Sequence, residues 1–351
     1  MSTVNLSAIA GALATLFEDD IPSQFNRAVV LSQVLPFKPG ESQNLAWDVR
    51  ATDGAAGSSV LADGTDVSTY NTDTKTKAVL QWGTYSEAFG VTGKALAAAA
   101  ITGNPLALKN LFAEEIETAV TRLTSNINKD FYTGSGATDT IQGLTSTNGG
   151  LKATGTYAGI DRSVTTLWAG NELLNGGVNR PNSIKLMRDT RRTIYVASGE
   201  YPDVIVTDPV QHEALALLLD PQRRYIQDVM LRGQKIVLDG GFRALEFDGI
   251  PVIADKDAPA NKMLFLNTRH VRTRQMPDAM AMAQIPAGMG QGGIVRLHGS
   301  PEEQIGGGQT ALSARINPLA VTGDAYKFQL VLYPQLQVRR PNACAILGDL
   351  Q

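Results

Sequence analysis

The chain has 351 residues, 43% hydrophobic and 19% charged, with 31 Lys and Arg against 34 Asp and Glu for a formal net charge of -3. This length suits about two domains and excludes a disulfide-stapled mini-protein. The charge balance excludes a strongly basic chain whose whole surface neutralises phosphates, but it permits a protein that encloses nucleic acid without gripping it.

The single cysteine, Cys344, excludes an intrachain disulfide and the Cys₄ and Cys₂His₂ zinc sites. It is expected as a small buried residue near a strand end. His212, His270 and His298 are widely separated, and no HExxH pair occurs. The first basic residue is Arg27, so a signal peptide would lack its positive start. No run approaches the roughly 20 apolar residues that span a bilayer. The expectation is a soluble chain made in the cytoplasm, with no membrane partner.

Leu6, Ile9, Leu13, Leu16 and Phe17 recur at helical spacing, and Glu18-Asp19-Asp20 follows. This short amphipathic helix either lies on its own domain or docks on a partner. Pro22, Pro36 and Pro39 then suggest an extended arm over residues 1–44. Leu45, Trp47, Val49 and Ala51 alternate with polar or small residues, as in a strand. A second strand runs from Lys75 to Trp82. The tip between them carries Asp53, Asp63, Asp66 and Asp73 and no Lys or Arg. An isolated hairpin is marginal in water. The 45–83 excursion must therefore be covered by another part of its own chain or by a neighbouring subunit.

The strongest helix starts at Asn104-Pro105, a favoured N-cap followed by a residue suited to the first turn. Leu108, Phe112, Ile116, Ala119, Leu123 and Ile127 repeat every three to four residues. The spacing predicts a helix over 104–132, stopping at Gly134 and about 42 Å long. A mixed α/β region follows. Ile160 to Leu174 reads as a helix capped at Asp161, and Pro181 to Met187 as leading into a strand. Strands are expected at Asp203–Thr207, Leu245–Ala254 (with a turn), Lys262–Leu266, Lys327–Leu332, Gln335–Val338 and Ala343–Leu347. Asp208-Pro209 caps a helix carrying Leu215 to Leu219. Residues 276–308 are rich in Met and Gly.

Gly288 to Gly293 matches GxGxxG by letter but lacks the preceding strand and following helix of a dinucleotide site, so it reads as a glycine loop. Gly93-Lys94 fails the phosphate-loop spacing, and no GxSxG elbow occurs. Glu114-Glu115 and Glu302-Glu303 are adjacent acids of the usual solvated kind. Arg191-Arg192, Arg223-Arg224 and Arg339-Arg340 either bridge subunits or lie on solvated faces. No catalytic, cofactor-binding or metal-ligating residue is assigned, and no cofactor is expected.

The order of elements resembles the major capsid proteins of tailed double-stranded DNA bacteriophages, with the HK97-type fold. Tyr201-Pro-Asp-Val-Ile-Val-Thr-Asp-Pro resembles the family's axial strand leading into a helix. Phe247-Asp-Gly-Ile-Pro-Val-Ile-Ala-Asp resembles its hairpin, and Leu336-Gln-Val-Arg-Arg-Pro-Asn-Ala its final strand. The resemblance implies an α+β fold in five parts. These are an N-terminal arm (1–44), an extended β-hairpin loop (45–83), a peripheral domain with a spine helix (84–154), an axial α/β domain (155–320), and strands returning to the peripheral domain (321–351). It implies a virion subunit that forms hexamers and pentamers in the host cytoplasm and encloses double-stranded DNA without sequence-specific binding. Portal and decoration proteins would be partners. The early start of the arm implies that any scaffolding protein is separate. Because residues 51–74 have no Lys, a non-covalent shell is expected. Two other readings are an encapsulin-like nanocompartment, which shares the fold, and a nucleotide-binding enzyme using Gly288–Gly293.

Overall fold

The computed structural model describes residues 30–40, 42–52, 63, 74–94, 97, 105–219, 229–231, 234–236, 245–276, 294–296, 312–319 and 324–351. The 6–17 helix, the Asn104 cap, the hairpin tip apart from Asp63, Arg223-Arg224, Gly288–Gly293, His298 and Glu302-Glu303 lie outside the described residues.

A helical turn at Leu31–Val34 and β1 (Phe37–Pro39) lead to the expected hairpin. In it β2 (Leu45–Thr52) and β3 (Thr74–Leu80) pair antiparallel, with Leu45 opposite Leu80 and Arg50 opposite Lys75. The alternation is realised as burial. Leu45, Ala78, Leu80 and Trp82 enter the chain's own core, while Lys75, Lys77 and Val79 face outward. The Val79 amide donates to the Ala158 carbonyl at 2.9 Å. Of the two covers that the sequence allowed, the hairpin base takes its own chain.

Next comes β4 (Tyr85–Thr92), followed by the long helix Pro105–Thr133. Ala119, Leu123, Ile127 and Phe131 form its buried stripe at four-residue spacing. The helix ends where the Gly134 amide donates to the Asp130 carbonyl at 2.8 Å. Its last turns touch two sheets. Tyr85 of β4 donates to Asp130 Oδ2 at 2.5 Å, and Tyr132 donates to Asp255 Oδ2 at 2.7 Å.

The expected helix at Ile160–Leu174 is absent. β5 (Thr156–Tyr157) and β6 (Ile160–Asp161) form a tight hairpin, a 3₁₀ turn covers Thr166–Trp168, and β7 (Asn171–Leu173) follows. Ala158 and Gly159, both at positive φ (51° and 78°), form the two-residue turn favoured in hairpins. Asp161 accepts from the Ser163 amide at 2.9 Å, which closes a local turn instead of capping a helix. Arg162 is buried and donates to the carbonyls of Gly149, Gly150, Thr154 and Trp168 at 2.9–3.3 Å. Burial pulls its guanidinium down to about 10, still charged at neutral pH.

The strand expected after Pro181 is also absent, because the helix Ile184–Ser198 occupies that stretch. The Ser183 side chain caps it by accepting from the Leu186 amide at 3.2 Å. Gly199, at φ 74°, ends it in the left-handed conformation. Met187, Thr190, Ile194 and Ser198 form its buried side.

The remaining elements are β8 (Val204–Thr207), the helix Pro209–Leu219, β9 (Val229–Leu231), β10 (Gln234–Ile236), β11 (Leu245–Phe247) and β12 (Ile250–Ala254). Then come β13 (Met263–Leu266), β14 (Val271–Gln275), β15 (Ile294–Arg296), β16 (Ser313–Pro318), β17 (Ala325–Leu332), β18 (Pro334–Val338) and β19 (Ala345–Leu347). A six-stranded mixed sheet has the order β11-β12-β8-β13-β19-β7, and a four-stranded sheet the order β15-β16-β17-β4. A smaller sheet, β1-β14-β18, lies beside them. In the six-stranded sheet Val204, Val206, Leu264, Leu266 and Ile346 enter one core. Ile205, Met263, Phe265, Ala345 and Leu347 enter a second one, with Met187, Ile194 and Leu215. Both faces are buried, so these strands are continuous apolar runs.

Residues 321–351 do not return as one unit. β17 pairs with β4, from Ala325 opposite Thr92 to Leu332 opposite Tyr85, but β19 inserts between β13 and β7. All three β19 side chains are buried, which suits a central strand. Likewise β15 and β16, which the sequence reading grouped with the axial region, belong to the sheet of β17 and β4. The boundary expected at residue 320 therefore falls inside a sheet.

Candidate functional site

A cleft of about 1030 Å³ opens between the hairpin base and the body. β2 supplies Trp47, Asp48, Val49 and Arg50. The 3₁₀ turn supplies Leu167 and Trp168, and the last turn of the Ile184–Ser198 helix supplies Ala197. Arg269, His270 and Arg272 come from the start of β14, and Arg339 to Asn342 from the chain leaving β18. β14 and β18 pair antiparallel with Val271 opposite Val338, which brings 269–272 beside 339–342. The Arg339 amide donates to the His270 carbonyl at 2.8 Å and fixes the two segments together. Among the described lining residues five are arginines and one, Asp48, is a carboxylate, and Glu200 below them pairs with Arg340 at 3.0 Å.

Glu200 anchors the floor. It accepts from Arg340 Nη1, Asn267 Nδ2 and His270 Nε2, each at 3.0 Å. Arg340 also donates to the Ser198 carbonyl at 2.7 Å. Burial works against ionisation of Glu200, but the His270 and Asn267 hydrogen bonds and the Arg340 charge overcome it and hold its carboxyl below the usual range. Burial pushes the His270 imidazole below its ordinary value, with Arg340 and Arg339 acting in the same direction and Glu200 opposing. Trp168 is buried against Tyr157, ring centroids 6.0 Å apart, and Trp47 lies 6.3 Å from Trp168. The aromatic wall is therefore braced from behind.

Of the two arginine pairs among the described residues, Arg339-Arg340 enters the cleft. Arg191 pairs with Asp248 at 3.2 Å and stacks on Tyr201, and Arg192 pairs with Asp189 at 3.0 Å. Sequence reasoning missed Arg50, Arg269 and Arg272, which fall in no motif. Cys344 is fully buried just before β19, and burial pushes its thiol up to about 12. Among the described residues no group of three His, Cys, Asp or Glu is placed to hold a metal ion. Among them, too, no helix is long and apolar enough to cross a membrane.

Two sheets bridged by one long helix, with a two-stranded limb beside them, agree with the HK97-type fold expected from the sequence. The fold is similar to the capsid asymmetric unit of cyanophage A-1(L), with a TM-score of 0.73, 22% identity, and coverage of 95% of this chain and 96% of that one. It is also similar to the SrpI encapsulin of Synechococcus elongatus (TM-score 0.55, 12% identity, 100% and 97% covered). The capsid of Myoviridae phage XM1 is similar at TM-score 0.53 and 12% identity, with 95% and 97% covered. At these identities the likenesses show the fold alone. No curated protein matches by sequence. Residues 18–287 match the family described as SU10 major capsid protein, and the chain belongs to that family. It is a structural capsid protein, and with further copies of itself it forms the capsid of a virion.

Proposed function

We propose that the subunit assembles as hexamers and pentamers into a head held by non-covalent contacts around double-stranded DNA. One observation carries the reading. Ten of the thirteen exposed large hydrophobic side chains among the described residues fall between Val164 and Leu218. Contiguous exposed apolar surface is what partners cover, and this concentration in one stretch of chain supports such a surface here. Val164, Val178, Val196, Val210 and Leu217 are each more than 60% exposed in the single chain. Repetition by symmetry turns weak contacts of this kind into a stable shell.

In this reading the four-stranded sheet and long helix form the peripheral domain, and the six-stranded sheet forms the axial one. The net charge of -3 suits DNA that must slide rather than bind. The absence of Lys from residues 51–74 supports a shell without covalent links from that segment. Portal, decoration and separate scaffolding proteins complete the set of partners. No catalytic, cofactor-binding or metal-ligating residue is assigned.

Negative-stain microscopy of the purified protein tests this, with closed shells, tubes or capsomers expected. A monodisperse monomer under all assembly conditions would overturn it. Denatured particles should run as one subunit band, whereas a covalent ladder would remove the non-covalent part. Nuclease-protected DNA in the particles supports the phage head. An enclosed enzyme would favour the nanocompartment reading instead.

A further inference from the structure

Asn is followed by Gly at two places in the chain, Asn148-Gly149 and Asn175-Gly176. The pair matters chemically because glycine has no side chain to shield its amide, so that nitrogen can reach the carbonyl carbon of the preceding Asn side chain. The fold treats the two places differently. Gly149 is buried, and its amide donates to the Ser146 carbonyl at 2.7 Å. Asn148 Oδ1 accepts from the Thr156 amide at 3.2 Å. A Cβ on Gly149 would meet the Leu144 carbonyl oxygen at 2.5 Å. Both reacting groups are held, and the space around them is filled.

Asn175 and Gly176 are exposed in a turn that follows β7. Gly176 and Gly177 lie at positive φ (67° and 82°), and a Cβ on either would meet no atom within 4 Å. The amides of Asn175 and Gly177 both donate to Asp349 Oδ2, at 2.6 and 2.9 Å. Among the described residues the Gly176 amide between them has no acceptor. The attacking nitrogen is thus free, and the bonds that restrain it come from one neighbouring carboxylate.

We infer that Asn175 is a deamidation site gated by Asp349. The Gly176 nitrogen gives its proton to water and bonds to Asn175 Cγ. The Cγ–Nδ2 bond breaks, and Nδ2 leaves as ammonia with a proton taken from water. A water molecule then opens the cyclic imide at either carbonyl, leaving aspartate or isoaspartate. Nothing is oxidised or reduced, and the net reactant is one water. Ring closure turns the peptide group that the two Asp349 bonds flank, so the reaction proceeds from the opened turn. The isoaspartate product lengthens the backbone by one carbon and sets a new carboxylate beside Asp349. The chain's last residues are tied to the same place. The Arg180 amide donates to the Asp349 carbonyl at 2.8 Å, and the Gln351 amide to the Arg180 carbonyl at 2.9 Å. Conversion therefore loosens residues 348–351. None of this depends on assembly.

The test keeps the unassembled full-length chain at mildly alkaline pH in heavy-oxygen water and maps its peptides by mass spectrometry. Labelled aspartate and isoaspartate are expected at position 175, with position 148 unconverted over the same time. Hydrogen exchange of the converted chain should show lost protection at 348–351. Asp349→Ala should speed conversion at 175 about tenfold or more, the weight of a hydrogen bond to a charged group. Asp349→Asn keeps an acceptor oxygen and should give a smaller rise at 175 alone, which separates gating from general unfolding. Conversion at 148 as fast as at 175 in the unaltered chain, or an unlabelled Asn175, would overturn the site. An unchanged rate at 175 in both Asp349 variants would overturn the gate.

Discussion

Tyr132 donates its hydroxyl to Oδ2 of Asp255 at 2.7 Å, joining the end of the long helix to the segment that follows β12. Asn128, one turn earlier, donates to the same oxygen at 3.1 Å and to Asp257 Oδ2 at 2.8 Å. The Asp257 amide donates to Asp255 Oδ1 at 3.0 Å. Asp255 is fully buried, and a buried carboxylate is tolerable only when donors of this kind surround it. Burial first, and the Asp255 charge second, raise the Tyr132 phenol well above its ordinary range, which keeps it a donor. With Tyr85 bound to Asp130 on the other side, the helix is keyed to both large sheets.

Removing that hydroxyl should be costly. Tyr132→Phe leaves a buried carboxylate one donor short and should destabilise the unassembled subunit by about 1–3 kcal/mol. Asn128→Ala should behave likewise, and the pair should be non-additive because the two share one carboxylate. Denaturant midpoints measure this. An unchanged midpoint in Tyr132→Phe would contradict the role given to the contact.

Arg162 replaces regular structure as the organiser of residues 149–168. Arg162→Met keeps the apolar stem but takes the donor from four carbonyls, of which Gly149 alone keeps another partner, the Lys152 amide at 3.2 Å, at an expected cost of about 3 kcal/mol. Hydrogen exchange should show lost protection in this stretch first, before the six-stranded sheet loosens. Uniform loss across the whole chain would argue that the loop has no separate organiser.

Acid should weaken the cleft floor in two stages. The folded value of His270 lies below its ordinary 6.5, so the unfolded chain binds the proton more readily. The stability linked to neutral His270 is complete above pH 6.5 and is lost as pH falls through the folded value. Glu200 also has a depressed value, against an ordinary 4.5. Its contribution is present above pH 4.5 and is lost as pH falls through the lower folded value. Urea titrations at stepwise pH should show both declines. His270→Gln should remove the upper decline and shrink the lower one, because His270 helps to hold the Glu200 carboxyl down, and Glu200→Gln should remove the lower. An upper decline that persists in His270→Gln would assign it to other groups.

The caps of the Ile184–Ser198 helix give a smaller effect. Ser183→Ala removes the side-chain acceptor for the Leu186 amide, at about 1 kcal/mol. Gly199→Ala meets no atom within 4 Å, so its cost is the left-handed backbone alone, about 1–2 kcal/mol. Thermal melts of the two variants and of the double variant should show nearly additive shifts, since the sites stand at opposite ends of the helix.

Period carried much of the fold. The four-residue stripe of the long helix, the two-residue alternation of β2 and β3, and the apolar runs of β8 and β13 are each a local pattern of side chains that seek one covered face. Where local signals competed, the outcome was decided elsewhere. Pro181 to Met187 read as leading into a strand, yet Ser183 and Gly199 terminate a helix whose inner side fills the second core. Tyr85–Thr92, to which the sequence reading gave no element, is a strand paired along its length with β17. The cleft could not be read at all. Arg50, Arg272 and Arg339 are separated by more than 60 residues at the least. Only the register of β14 against β18, and the resting place of the hairpin base, bring their charges to one wall. Sequence by itself determined which faces must be buried, because hydrophobicity acts on each residue's own pattern. Tertiary structure alone decided which surfaces meet, because pairing and charge act between residues whose nearness the linear order does not contain.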